Sequence, residues 1–125
     1  MMAAIYARTA AGGRPAIDEQ IRHARAYADA HCYDVPEDLV FVDENVSGMT
    51  MAGNGLASLL ERIEQGPLPI SAVIVRDVDR LGRDFFELPQ LLHRLRSLGV
   101  MVRQYSRPES KYLLLNFSRK QEPRS

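Results

Sequence analysis

The sequence is poor in the residues that most quickly narrow a function. It has one cysteine, Cys32, in 125 residues. A single thiol makes no internal disulfide and no cysteine-built zinc site. Tryptophan is absent and the formal net charge is zero. Zero net charge argues against a general basic coat for nucleic acid, though a local basic site stays open. No apolar run approaches the roughly 20 residues of a membrane span, so no membrane partner is expected. Arg8 interrupts the first apolar residues, too early for a secretory leader. The expected home is therefore a reducing cytoplasm.

Familiar cofactor motifs are missing as well. Gly12-Gly13-Arg14-Pro15 lacks the G-x-G-x-x-G spacing, and no G-K-[ST] phosphate loop occurs. His23, His31 and His93 are scattered and read as surface residues rather than ligands. No metal and no cofactor is expected.

What the chain does contain is an ordinary globular composition, enough for one domain with a real core. Ala3-Ala4-Ile5-Tyr6-Ala7 is a short apolar run that reads as a buried strand. Ile17, Ile21, Ala24 and Ala28 recur at helical spacing, predicting a helix over about 16–31 with Pro15 near its first turn. Leu39 to Val42 reads as a second strand ending at Asp43, and Asn45 to Gly55 as a mobile loop. Leu56, Leu59, Leu60 and Ile63 mark a second helix, stopped by Gly66, Pro67 and Pro69. Ala72 to Val75 is the clearest strand, and a charged loop from Arg76 to Asp84 follows it. Leu88, Leu91, Leu92 and Leu95 mark a third helix ended by Gly99, with Pro89 tolerated only near its first turn. Val100 to Val102 reads as a fourth strand.

Strands alternating with amphipathic helices predict an α/β fold: a mostly parallel sheet of four or five strands with helices on both faces. The domain spans 1–106. Residues 107–125 form a basic tail, either partly disordered or a short extra element. Tyr112-Leu113-Leu114-Leu115 reads equally as a strand or a helical turn. From Leu91 onward eight cations face only Glu109 and Glu122. That bias suggests a polyanionic partner; a solvated end accounts for it equally well.

In open parallel sheets, ligands gather at the carboxyl ends of the strands. That rule selects Tyr6, Arg8, Thr9 and Ala10 after the first strand, and Asp43 with Ser47 and Gly48 after the second. After the third it selects Arg76, Asp77, Asp79, Arg80 and Arg83. Arg8, Arg80 and Arg83 together would offer planar, permanently charged donors that match phosphate oxygens in pairs. Such a group would stabilise charge developing on a phosphoryl centre. The plainer alternative is a surface pairing of Asp79 with Arg80 or Arg83.

These residues also resemble a known family. Tyr6-Ala7-Arg8, Gln20, Asp43 followed by Ser47-Gly48, and Val78-Asp79-Arg80-Leu81-Gly82-Arg83-Asp84 are similar to motifs of the catalytic domain of serine site-specific recombinases, the resolvase/invertase family. The resemblance covers roughly 3–106. It implies DNA strand exchange without metal or nucleotide, through a serine that attacks the phosphodiester and becomes linked to the 5′ end. By the same resemblance, Arg8, Arg80 and Arg83 contact the phosphate. Asp79 orients them or serves as the acid for the leaving oxygen. Tyr6, Gln20, Asp43 and Ser47 support the site.

Three departures qualify the resemblance. Where the family has Y-x-R-V-S, this chain reads Tyr6-Ala7-Arg8-Thr9-Ala10, and alanine has no group able to attack phosphorus. Thr9 carries a hydroxyl, but strand alternation points it away from the side shared by Arg8 and Ala10. Gly53 falls near the position of a further family arginine. The chain also stops at Ser125, short of the long helix and DNA-binding module that the family adds. The resulting expectation is a recombination-associated domain impaired in strand exchange that keeps its arginine clamp for DNA, alone or with a homodimer or recombinase partner. The alternatives are an active recombinase fragment and a non-catalytic interaction or regulatory domain.

Overall fold

The computed structural model describes residues 1–9, 13–44, 54–66, 69–77 and 87–106. Strand β1 (Ala3–Arg8) is buried along its whole length, as its apolar run requires. Helix α1 (Gly13–Ala30) follows, starting three residues earlier than the periodicity suggested. Pro15 then lies in the first turn, where its missing N–H costs nothing. The helix ends in a turn with Cys32 at φ 62° and with the Tyr33 N–H donating to the Ala28 carbonyl at 2.9 Å. A single 3-10 turn, Glu37–Leu39, leads into β2 (Val40–Asp43). Leu39, expected in the strand, closes that turn instead.

Helix α2 (Asn54–Gln65), β3 (Ala72–Val75), α3 (Glu87–Ser97) and β4 (Met101–Gln104) complete the described elements. Asn54 and Gly55 therefore belong to α2, not to the preceding loop as expected; residues 45–53 lie outside the described residues. Gly99, at φ 81°, closes α3 as anticipated, because a left-handed turn favours a residue without Cβ. The proposed tail element at Tyr112–Leu115 lies outside the described residues.

The four strands are parallel, in the order β2-β1-β3-β4. Leu56 and Leu59 of α2 and Leu91 and Leu95 of α3 pack with Tyr6, Phe41, Val73, Val75 and Val102 on one face. On the other face Ala24 and Ala28 of α1 meet Ala3, Ile5, Ala72 and Ile74. Small residues on both sides let α1 lie close to the sheet. The expected α/β architecture, with helices on both faces of a parallel sheet, is the one observed. Arg94 of α3 pairs with Glu64 of α2 at the surface, an exposed contact of small energetic weight. Among the described residues, no helix is long and apolar enough to cross a membrane.

Candidate phosphate site at the strand ends

The strand order reverses between β1 and β3. The chain leaves β1 toward β2 on one side and later returns to β3 on the other. A crevice opens outside the carboxyl ends at such a point, and it is the usual ligand position in open α/β sheets. Arg8 sits at that point. It pairs in register with Asp43 of β2, while the β1–β3 pairing stops at Ile5 and Ile74.

Arg8 lies three residues past the last β1–β3 pair, and there Gln20 of α1 meets its main chain. The Arg8 N–H donates to Gln20 Oε1 at 3.1 Å, and Gln20 Nε2 donates to the Arg8 carbonyl at 3.0 Å. Both residues are buried, at 5% and 8% exposure. Buried main-chain groups require partners, and one amide supplies both. The main chain at the end of β1 is thus held by a side chain from the helix that follows it.

Asp43 organises the other side. Its Oδ2 accepts from the Tyr6 hydroxyl at 2.6 Å and from the Leu56 N–H at 2.9 Å; its Oδ1 accepts from the Gly55 N–H at 2.8 Å. The carboxylate satisfies donors that the first turn of α2 leaves without intrahelical partners. Helix α2 comes so close to β2 that a Cβ on Gly55 would collide with the Val42 carbonyl. Burial, the hydrogen bond donated to Asp43 and the negative charge of Asp43 push the Tyr6 phenol far above its usual value of 10.0, with Arg8 opposing. Tyr6 is therefore a neutral donor to a charged acceptor.

Thr9 is buried, and its N–H donates to the Asp43 carbonyl at 3.1 Å. Alternation along β1 places it on the α1 side, whereas Arg8 follows Ala4 and Tyr6. At the end of β3, Asp77 lies 3.9 Å from Arg76. Its Oδ1 is buried with no donor among the described residues. His23 is exposed on α1, His31 is exposed in the turn that follows it, and His93 is exposed on α3.

The structure thus brings Tyr6, Arg8, Gln20 and Asp43 together. Ala10, Ser47, Gly53, Asp79, Arg80 and Arg83 lie outside the described residues. Sequence reasoning missed the role of Gly55 and the tie from Asp43 to α2. An acidic residue at a strand end, followed by a helix start with glycine, was the available signal. Among the described residues, no His, Cys, Asp or Glu cluster is arranged to hold a metal ion.

Comparison with known proteins points the same way. The family described as "Resolvase, N terminal domain" matches residues 3–114. A "Resolvase/recombinase" of Pseudomonas putida is 32% identical over 98 residues, covering 78% of this chain. The chain spans only 48% of that relative's length. Among solved structures, the C-terminal catalytic domain of ISC1926 TnpA, an IS607-like serine recombinase, is 27% identical with a TM-score of 0.73, over 84% of this chain and 67% of that one. The N-terminal catalytic domain of TP901-1 integrase superposes with a TM-score of 0.75 at 23% identity, over 86% of this chain and 80% of the other. That second likeness concerns the fold alone.

Proposed function

This chain belongs to the resolvase family of serine recombinases, and on that premise we propose that it is a degenerate recombinase domain that binds DNA phosphate but does not cleave the strand. The observation that carries the proposal is the placement of Arg8: buried at the carboxyl end of β1, at the point where the strand order reverses, with its main chain held by Gln20. Arg80 and Arg83 join it as phosphate ligands in this reading, and Asp79 orients them. Ala10 stands where the family's serine is expected, and alanine has no group able to attack phosphorus. In other covalent enzymes, loss of the nucleophile costs on the order of 10⁶ in rate. The partner is DNA, bound weakly by the domain alone, with a second copy or an intact recombinase as the protein partner. The domain then acts as a regulator of recombination rather than its catalyst.

Two measurements test this. Incubation with supercoiled plasmid under conditions that trap covalent intermediates should yield no protein–DNA adduct. An adduct mapped to Thr9 would instead establish an active recombinase with an altered site. Binding to a DNA duplex should weaken steeply with salt, and alanine at Arg80 and Arg83 should flatten that dependence. Absence of binding at low salt would leave an interaction domain with no nucleic-acid role.

A further inference from the structure

We infer that Asp43 is a positioning residue of the strand-end site, acting with Tyr6 as a clasp that sets the start of α2 beside Arg8. The inference rests on the reading of Arg8 as a phosphate ligand.

An ordinary helix cap is local: its side chain reaches the N–H groups two or three residues ahead. Asp43 caps α2 from 12 and 13 residues upstream, from a different element. A local cap at position 53 would satisfy the same donors without closing a long loop. The long-range arrangement does something a local cap does not, which is to fix the helix start relative to the sheet. The third hydrogen bond, from Tyr6, ties the carboxylate to β1 as well. Three elements therefore meet at one side chain, directly across from Arg8 in the parallel register. Gly55 completes the fit, because any larger residue would lift α2 off Val42.

Charge makes the role decidable. A carboxylate next to an anion site repels phosphate. If Asp43 contributed only its charge, its removal would strengthen DNA binding. If it positions α2 and the end of β1, its removal weakens binding despite the favourable change in charge. Tyr6→Phe alters no charge at all, so it moves affinity only through the orientation of Asp43.

The experiment compares wild type, Asp43→Asn, Tyr6→Phe and the double variant. A fluorescent DNA duplex of arbitrary sequence is the probe, at low salt and well below the melting temperature. Amide exchange at Gly55 and Leu56 is followed in the same proteins without DNA. We expect binding about tenfold weaker in Asp43→Asn, a smaller loss in Tyr6→Phe, and a double variant no worse than Asp43→Asn alone. Exchange at Gly55 and Leu56 should accelerate in both single variants. Equal or tighter binding by Asp43→Asn, or unchanged binding and exchange in Tyr6→Phe, overturns the inference. Should wild type not bind the duplex, the phosphate reading fails and the positioning role fails with it. Exchange at Gly55 and Leu56 then still shows whether the clasp exists as a structural device.

Discussion

Gln20 holds the main chain of Arg8 from both sides of its amide, accepting from the N–H at 3.1 Å and donating to the carbonyl at 3.0 Å. One side chain of α1 thereby bonds both main-chain groups at the end of β1. Gln20→Leu removes two hydrogen bonds from a buried stretch of main chain, a loss of about 1–3 kcal/mol. Gln20→Glu keeps the acceptor but turns a carboxylate oxygen toward the Arg8 carbonyl. It should destabilise at neutral pH by a similar amount. Urea unfolding of both variants checks this, and a change within error of zero would show that Gln20 is replaceable.

Gly55 lies directly against the main chain of β2. Gly55→Ala sets a Cβ against the Val42 carbonyl, and neither backbone segment can yield without disturbing Asp43. The usual gain of alanine over glycine in a helix, about 1 kcal/mol, should therefore be reversed. We expect a net loss of about 1–3 kcal/mol, read as a lower melting temperature.

Cys32 adopts φ 62°, a left-handed conformation that costs a residue with Cβ roughly 1–2 kcal/mol. Cys32→Gly removes that strain and gives back part of the gain as unfolded-state entropy. A stabilisation of up to about 1 kcal/mol is expected in denaturant unfolding. The exposed thiol is not needed for it.

The Tyr6 phenol is raised above its usual value by burial first, then by its hydrogen bond to Asp43 and that residue's charge. A group with a raised folded-state pKa contributes stability that is complete below its unfolded value and lost as pH rises above it. Stability should therefore fall as pH climbs above about 10. Tyr27, raised mainly by burial, contributes in the same direction. Tyr6→Phe should flatten this alkaline decline. In wild type, one phenolate signal in the ultraviolet titration should appear only on unfolding.

Much of the fold was legible beforehand because the local signals agree with one another. Ala72 to Val75 is apolar and β-branched in its centre, and Leu88, Leu91, Leu92 and Leu95 keep helical spacing up to Gly99. Structure departs from local pattern where a tertiary contact overrides local preference. Asn54 and Gly55 look like loop residues, yet they begin α2 because Asp43 satisfies the N–H groups of Gly55 and Leu56. Leu39 looks like strand and instead closes a 3-10 turn.

The site divides along the same line. Sequence by itself determined which chemistry is present at the strand ends: an arginine at position 8, an acid at 43, a glutamine at 20, and alanine at 10. Side-chain identity needs no coordinates, and an alanine cannot be a nucleophile in any fold. Only the tertiary structure decided what those residues do to one another. The strand order β2-β1-β3-β4 puts Arg8 beyond the last β1–β3 pair and Asp43 beside it. It also brings Gln20 onto the Arg8 main chain and lets Asp43 cap α2 through Gly55, 12 residues further on. Such pairings depend on how separate segments meet in space, and no local pattern along the chain encodes that distance.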